Sequence, residues 1–194
     1  MKNILKDIKG LIIVSVATLF FACATTEKIL VNPVKYEPSM LEKNPTKISY
    51  FINQDLKNLT ETQGTITIYE IFLGDAIEKN IKDVLEKIFY NPIEVSTDSV
   101  EGILIKFSRA NSKIEREVGS NYSYTIEINM KIFKNKKLIK EVNFTGSDIQ
   151  FDRNWKIGET SFVKAKEQVA TTCSNAIGRL CYKIGEYLMN YKFE

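Results

Sequence analysis

Residues 122–132, YSYTIEINMKI, hold the strongest structural signal in this sequence. Apolar and polar side chains alternate along the whole stretch, and successive side chains of a β-strand point to opposite faces of its sheet. The residues that share the apolar face are Tyr122, Tyr124, Ile126, Ile128, Met130 and Ile132. The stretch therefore predicts a long strand with one face in the core.

Further strands are predicted on both sides of this stretch. Lys134-Asn135-Lys136 indicates a hairpin turn, after which residues 138–146 return with Val142 and Phe144 on the buried side. Upstream segments rich in β-branched and aromatic residues predict strands at 47–53, 65–73 and 102–109. The long strand thus lies within a sheet rather than in an isolated hairpin.

Two amphipathic helices are also predicted. Behind Asp75, whose spacing to Glu78 fits a capping box, apolar residues recur every three or four positions. A second helix is predicted over residues 160–191, with an apolar stripe along most of its length. Glycine costs about 1 kcal/mol relative to alanine in a helix, so Gly178 and Gly185 predict that the sheet approaches this helix closely.

The fold class follows from these elements. Each helix carries one apolar stripe, and a sheet with one apolar face can cover both stripes at once. We therefore expect an α+β fold, with a mostly antiparallel sheet of four to five strands and two amphipathic helices packed on one face. The expected order is strand, helix, strand, hairpin, helix. Residues 47–194 are expected to form this single domain.

The N-terminus has the features of an export signal. Lys2, Lys6 and Lys9 precede the apolar run LIIVSVATLFFAC at residues 11–23. The run is shorter than the roughly 20 residues that a membrane-spanning helix needs. A basic start followed by a short apolar run is typical of a secretory signal peptide.

The last four residues of this signal, Phe20-Phe21-Ala22-Cys23, resemble the lipobox of bacterial lipoproteins, in which leucine and two small residues usually precede the cysteine. In that family the cysteine receives a diacylglyceryl thioether, the peptide is cut just before it, and the new amine is acylated. The resemblance implies a signal peptide over residues 1–22, lipid chains on Cys23 and no other cofactor. The two phenylalanines depart from the commonest pattern. An uncleaved anchor, or an ordinary signal with an incidental cysteine, is the alternative.

Residues 23–46 are expected to form a lipidated tether. Pro33, Pro38 and Pro45 punctuate this segment, and proline is excluded from helix interiors and central strands. An extended tether would hold the domain off the lipid surface. Ile29, Leu30 and Val31 were β-prone enough to suggest a short edge strand within it.

Composition excludes several classes of function. The chain has no histidine, which rules out serine–histidine or cysteine–histidine relays and histidine metal sites. Its formal charge of +3 is small, whereas nucleic-acid binding needs a concentrated basic face. Besides Cys23, Cys173 and Cys181 lie on the second helix about 12 Å apart, too far for a disulfide, and fit small core residues. We expect a protein that is not an enzyme and holds no metal.

The element order, with Leu73-Gly74-Asp75 opening the first helix and the hairpin over residues 122–144, resembles small outer-membrane lipoproteins of the LptE and YajG kind. That resemblance implies a periplasm-facing accessory in outer-membrane assembly or transport, associated with a β-barrel and lipopolysaccharide. Similar architecture in PelC and CsgG implies instead a self-assembling collar of a secretion system. A solute-binding lipoprotein or a carboxylate-based enzyme is a third reading. In lipoproteins of enteric bacteria an aspartate after the cysteine often retains the protein in the inner membrane, so the resemblance, with Ala24 at that position, implies the outer membrane.

The predicted hairpin concentrates positive charge at Lys131, Lys134, Lys136, Lys137 and Lys140. These lysines could meet phosphates on lipid A, on anionic lipid or on a partner. The alternative is that they keep an exposed hairpin from pairing with other strands.

Two other groups were weighed as sites. Tyr122 and Tyr124 could line a binding surface, but their shared face with Ile126 favours packing inside the sheet. Asp148, Asp152 and Asn154 could contact calcium, but they lack the loop glycine and closing glutamate of such sites.

Overall fold

The protein has the α+β class that the sequence predicts. The structure, a computed structural model, describes residues 25–37, 42–64, 67–98, 100–116, 122–150 and 162–193. The signal peptide and Cys23 therefore lie outside the described residues. In chain order the elements are β1 (Thr25–Leu30), β2 (Ile48–Ile52), α1 (Gln54–Lys57), β3 (Thr60–Gln63), β4 (Thr67–Phe72), α2 (Gly74–Ile88), β5 (Ile93–Glu94), β6 (Ile103–Arg116), β7 (Tyr122–Lys134), β8 (Lys137–Gln150) and α3 (Phe162–Asn190).

The larger sheet has five strands in the order β5-β2-β6-β7-β8. β6, β7 and β8 form the expected antiparallel meander, but β2 pairs parallel with both β5 and β6. Most of the paired residues of this sheet are therefore antiparallel, as predicted, and parallel pairing is confined to β2 and its two neighbours. The reason is the long crossover through α2, because parallel neighbours need a connection that returns the chain to the same end of the sheet.

The apolar side chains at every second position of β7 lie in the core, as predicted. All six apolar residues of its inner face are buried, and Tyr124, Ile126, Ile128, Met130 and Ile132 are each 0% exposed. α2 and α3 pack against this core, and their predicted stripes lie within the same cluster of buried residues. Helix α2 begins two residues earlier than expected, with Leu73 instead of Asp75 at its N-cap and no side-chain cap.

The capping box is not formed. The backbone N–H groups of Leu73 and Gly74 both donate to the carbonyl of Leu59, at 3.0 and 3.1 Å. These bonds fix the start of α2 from outside the helix, so Asp75 lies in its first turn instead of capping it. Glu78 is thereby free to bind two lysines.

A second sheet, absent from the sequence prediction, has three strands in the order β1-β4-β3. β1 comes from the segment expected to be a tether, and it pairs parallel with β4 over six residues from Thr25 to Leu30. Residues 60–63, expected to be loop, pair antiparallel with β4 as β3. Part of the predicted tether is thus built into the fold.

Residues 31–37, here called the N-terminal strap, continue this arrangement across the two helices. Asn80 Oδ1 accepts the backbone N–H of Val34 at 3.0 Å, and Asp83 Oδ2 accepts that of Tyr36 at 2.9 Å. The strap also meets the two glycines of α3. A Cβ at Gly178 would contact Val34 at 3.2 Å, and one at Gly185 would overlap the Tyr36 ring. The glycines therefore admit the strap and not the sheet, contrary to the sequence prediction.

Four charged side chains join α1, α2 and β5. Lys57 lies 2.6 Å from Glu94 and 3.3 Å from Glu78, and Lys82 lies 2.8 and 2.7 Å from the same two carboxylates. Hydrogen bonds from Lys82 and Lys57 hold the pKa of Glu78 below its usual value. The pKa of Glu94 is lowered as well. Partial burial by itself would raise this pKa, but the hydrogen bonds from Lys57 and Lys82 outweigh the burial.

This network predicts a pH-dependent contribution to stability. Because both carboxyl pKa values are lowered on folding, the contribution is present above their usual value of 4.5 and is lost as pH falls through the folded values. Changing Glu78 and Glu94 together to glutamine should cost about 1 kcal/mol near pH 6, since the groups are partly exposed, and less near pH 3. Urea unfolding at both pH values measures this difference. The exposed Glu101→Gln serves as control, and an equal loss at both pH values would contradict the prediction.

Candidate functional site

The hairpin between β7 and β8 ends in a tight two-residue turn. Asn135 and Lys136 have φ angles of 50° and 66°, the left-handed conformation that a type I′ turn requires. The Asn135 N–H donates to the Gly102 carbonyl at 2.9 Å, and its side-chain oxygen accepts the Gly102 N–H at 3.0 Å. The hairpin tip is therefore fixed to the start of β6.

The five predicted lysines lie on the two strands and the turn of this hairpin, and they differ in whether they form an ion pair. Lys131 lies on β7 with its ammonium 3.2 Å from the Glu141 carboxylate. Lys134, Lys136, Lys137 and Lys140 are all exposed, and within the described chain none of these four forms an ion pair. The tip therefore carries an uncompensated positive charge.

Aromatic side chains form a continuous row that joins β8, the end of α3 and the end of α2. Phe144 of β8 contacts Tyr187 of α3 with ring centroids 5.5 Å apart, and Tyr187 stacks on Tyr191 at 5.6 Å. The row continues from Tyr191 to Phe193 at 4.8 Å and from Phe193 to Phe89 at 5.7 Å. Burial raises the pKa of the Tyr187 hydroxyl, and the neighbouring Tyr191 adds to the effect.

An open groove runs along this row between β8 and α3. Its volume is about 530 Å³. The residues that line it are Phe144, Lys183, Glu186, Tyr187, Asn190 and Tyr191. An aromatic floor with one cation and one anion at its rim suits an apolar or aromatic side chain. The sequence prediction missed this groove, although Tyr187 and Tyr191 show the i, i+4 spacing that places two side chains on one helix face.

β8 is an edge strand of the five-stranded sheet. Along its second half, α3 covers the edge: Lys183 Nζ donates to the Thr145 carbonyl at 2.7 Å, and Arg179 donates to the Ser147 carbonyl at 2.8 Å. Along its first half two apolar residues are exposed, Leu138 at 44% and Ile139 at 38%. The uncovered half of the edge thus lies next to the lysines and the groove.

This surface lies far from the N-terminal end of the fold. Lys166 in the first turns of α3 forms an ion pair with Glu27 of β1. α3 then runs antiparallel to β8, so that Asn175 meets Asp148 and Tyr187 meets Phe144. At about 1.5 Å per residue, the helix carries the chain about 37 Å from Lys166 to Tyr191. The lysines and the groove are therefore at the opposite end of the domain from β1.

Tyr122 and Tyr124 belong to the core, which was the favoured reading, since they are 5% and 0% exposed. The Tyr124 hydroxyl has no hydrogen-bond partner within the described chain, and burial strongly raises its pKa. Nearby, Glu61 of β3 accepts hydrogen bonds from Ser112 and from Arg109 Nη2, the latter at 3.0 Å. This polar contact ties the smaller sheet to β6.

The two cysteines of α3 are core residues, as expected. Cys173 and Cys181 are free and buried, and burial raises the pKa of each thiol to about 12. Both are thiols at neutral pH and so lack the thiolate that a cysteine nucleophile or metal ligand needs. Asp148 accepts from Asn175 at 3.0 Å and pairs with Arg179 at 2.7 Å, while Asp152 and Asn154 lie outside the described residues.

The described part of the chain lacks two further features. None of its helices is both long and apolar enough to cross a membrane. In the same residues, no three His, Cys, Asp or Glu side chains are grouped so that they could hold a metal ion.

Comparison with known proteins shows that the fold of this chain occurs elsewhere. The sequence matches no family model and no curated protein. A Xanthomonas campestris protein of the family DUF330 is similar in structure, with a TM-score of 0.54 at 7% identity over 81% of this chain and 94% of that one. The two share a fold. At this identity the likeness says nothing about activity.

Two weaker structural likenesses are to lipoproteins. A minor lipoprotein from Acinetobacter baumannii has a TM-score of 0.48 at 11% identity, over 76% of this chain and 93% of that one. Rare lipoprotein B from Shewanella oneidensis has a TM-score of 0.38 at 9% identity, over 74% of this chain and 97% of that one. Both values are too low to support an argument.

Proposed function

We propose that this chain is a bacterial envelope lipoprotein, held on the periplasmic face of the outer membrane by lipids on Cys23, and that it works by binding rather than by catalysis. The proposal combines the export signal, which ends in Ala22-Cys23, with the structure of the residues that follow it. No histidine relay is available to the chain, because it contains no histidine.

The start of β1 carries this proposal. β1 begins at Thr25, two residues after Cys23, and two residues of extended chain span at most about 7 Å. β1 is paired with β4 along its length, and the strap that follows is hydrogen-bonded to α2. Lipids on Cys23 would therefore hold the domain directly at the membrane surface, with the β1 end facing the lipid.

The binding surface would then point away from the anchoring membrane. The lysine tip and the aromatic groove lie at the opposite end of α3, about 37 Å along the helix from the β1 end. This orientation suits an accessory of outer-membrane assembly or transport that reaches a partner beyond its own leaflet. The role we favour is LptE-like, beside a β-barrel and in contact with lipopolysaccharide.

Removing the lipidated side chain tests the anchor. Cys23→Ser should reduce the membrane-bound fraction of the protein at least tenfold, or leave the precursor unprocessed, because two or more acyl chains are needed for stable anchoring. Fractionation of cells followed by immunoblotting measures both outcomes. Cys181→Ser, at a buried cysteine of α3, is the control and should remain membrane-bound. A cleaved Cys23→Ser protein that still pellets with membranes would contradict the proposal.

The same two preparations test the role. A crosslinked pull-down of the lipidated protein should recover one β-barrel partner at equal stoichiometry, together with lipopolysaccharide. The Cys23→Ser protein should not recover that partner, because it is no longer held beside it. A lone monomer with no partner would argue against the assembly role.

A collar of identical subunits is the second candidate. The observation that favours it is that both edges of the five-stranded sheet are at least partly open within the described chain, at the first half of β8 and at β5, where Ile93 is 61% exposed. Head-to-tail pairing of two different edges generates a ring when the rotation closes. A large homo-oligomer without a barrel in the pull-down would favour this role.

A further inference from the structure

We propose that β8 takes up an extended, acidic segment of a partner protein as an additional strand beside Glu141 and Asn143. The proposal rests on the binding role above and names the kind of partner that the surface fits. It joins three features that meet at one place: a free strand edge, a groove beside it, and four lysines without counter-charges.

The backbone of β8 offers unpaired hydrogen-bonding groups. In an antiparallel pair, residues alternate between bonding to the neighbouring strand and pointing their N–H and C=O groups away from it. The Thr145 and Ser147 carbonyls point away from β7, since they accept from Lys183 and Arg179 of α3. The pairing with β7 is regular from Lys140 to Ser147 and shifts register between Leu138 and Lys140, so Glu141 and Asn143 also point their backbone groups outward.

Those groups have no partner within the described chain. Hydrogen bonds from α3 reach the edge at Thr145 and Ser147 only. The side-chain oxygens of Glu141 and Asn143 accept hydrogen bonds from Asn129 of β7. The outward backbone groups of these two residues have no hydrogen-bond partner in the described chain. An added strand would satisfy them, and main-chain hydrogen bonds of this kind supply the affinity in strand addition.

The groove determines what such a strand would place toward α3. Alternate side chains of a strand point to opposite faces, and Lys140 shares a face of β8 with Phe144. On that face of the added segment, the side chains nearest Phe144 would lie over the groove, and those farther along would meet Lys140. The groove has room for a large side chain, at about 530 Å³. Its rim carries Lys183 and Glu186, whose charges offset each other, so an aromatic or branched apolar side chain fits better than a charged one.

The lysines determine the charge of the segment. Residues 131–141 contain five lysines and one glutamate, and that glutamate is paired with Lys131. Lys137 and Lys140 lie on β8 itself, and Lys134 and Lys136 surround the turn. Carboxylates on the added strand would neutralise this charge. Two copies of this chain paired through β8 would instead bring two lysine-rich strands together, and like charges directly opposite each other destabilise a strand pair.

The test uses the full lipidated chain in detergent micelles and three labelled peptides. The first is an eight-residue peptide with two glutamates, a tyrosine and a valine in this order on one strand face and threonines on the other, because Lys140 and Phe144 lie on the same face of β8. The second has the same sequence with N-methyl groups on alternate amides, which removes strand hydrogen bonds but keeps the charge. The third replaces the glutamates with lysines. Fluorescence anisotropy should show binding of the first peptide, at least tenfold weaker binding of the second, and none of the third.

Two protein variants complete the test. Lys137→Glu combined with Lys140→Glu should weaken binding of the acidic peptide at least tenfold, whereas Lys47→Glu, at an exposed lysine before β2, should leave it unchanged. Circular dichroism confirms that each variant is folded. Hydrogen exchange should show new protection at Glu141 and Asn143 when the peptide is bound.

Several results would overturn the proposal. Equal binding of the N-methylated peptide would show attraction by charge alone, and no binding of any peptide would show that the edge is closed to added strands. A homo-oligomer in which β8 amides are already protected would assign the edge to a second copy. None of these results would affect the membrane fractionation of Cys23→Ser, so the strand proposal and the lipoprotein proposal can fail separately.

Discussion

Replacing Gly146 with alanine is expected to lower the free energy of unfolding by about 3 kcal/mol, the upper part of the range for overpacked cores. Gly146 lies on the inner face of β8, where α3 crosses the sheet. A Cβ at this position would overlap the carbonyl oxygen of Ala176 and come within 2.7 Å of Leu180 Cβ. Both contacts belong to a helix held along its whole length, so the added methyl group must push α3 away from the sheet.

The neighbouring Ser147→Ala is the matched control, because that side chain is exposed on the outer face of the same strand. Urea unfolding followed by circular dichroism would show a lower midpoint for Gly146→Ala and an unchanged one for Ser147→Ala. Gly146 does not have a positive φ angle, so the expected loss reflects helix–sheet packing and not backbone strain. Equal midpoints would mean that α3 can shift at little cost.

Tyr36→Ala should be the second strongly destabilising substitution, at about 3 kcal/mol, the scale for removing a large buried side chain. Tyr36 is 5% exposed although it lies in the N-terminal strap. Its ring packs over Gly185, contacts Tyr182 edge-on at 6.2 Å, and points its hydroxyl at Met189 Sδ, 3.9 Å away. Deleting the ring would empty the space that the glycine leaves for it.

Tyr36→Ala should also release the strap, and proteolysis can measure this release separately from global unfolding. Lys35 is exposed beside the buried ring, so trypsin should cut there faster once the strap is released. Tyr36→Phe should behave like the wild type in both assays, because the hydroxyl makes only the long contact with sulfur. Wild-type rates of cleavage in Tyr36→Ala would show that the backbone bonds to Asp83 and Lys87 hold the strap alone.

The strap matters for function because it lies between the proposed anchor and the proposed binding surface. It is hydrogen-bonded to α2 and packed against α3, and α3 carries Tyr187 and Tyr191 of the groove. Lipids on Cys23 would therefore be coupled to a domain of fixed orientation. A flexible tether would let the domain tumble, whereas this arrangement would hold the lysine tip away from the lipid surface.

The lysines themselves admit two physical roles that are compatible with each other. Charged side chains on an edge strand keep it from pairing with the edges of other proteins. The same charges select a partner strand that carries carboxylates, since specificity needs repulsion of wrong partners as well as attraction of the right one. The type I′ turn at Asn135 and Lys136 holds the tip in place for either role.

Local pattern determined the buried face of each main element. The alternation in β7 and the three- and four-residue spacing in α2 were read correctly, because burial of one face imposes its period directly on the sequence. The hairpin turn and the five lysines at its tip also followed from residues close together in the chain. The polar strand β3 and the short strand β5 were missed because neither carries a period long enough to recognise.

Only the tertiary structure decided which elements meet. Gly178 and Gly185 predicted that another segment packs closely against α3. That this segment is the strap could not be predicted, because Val34 and Tyr36 are remote from the glycines in sequence. The parallel pairing of β2 was equally hidden. Residues 29–31 did predict an edge strand, but not that it would pair with β4. The sequence determined which side chains must be buried, since burial depends on local period, whereas their partners depended on how all the apolar faces could be covered at once.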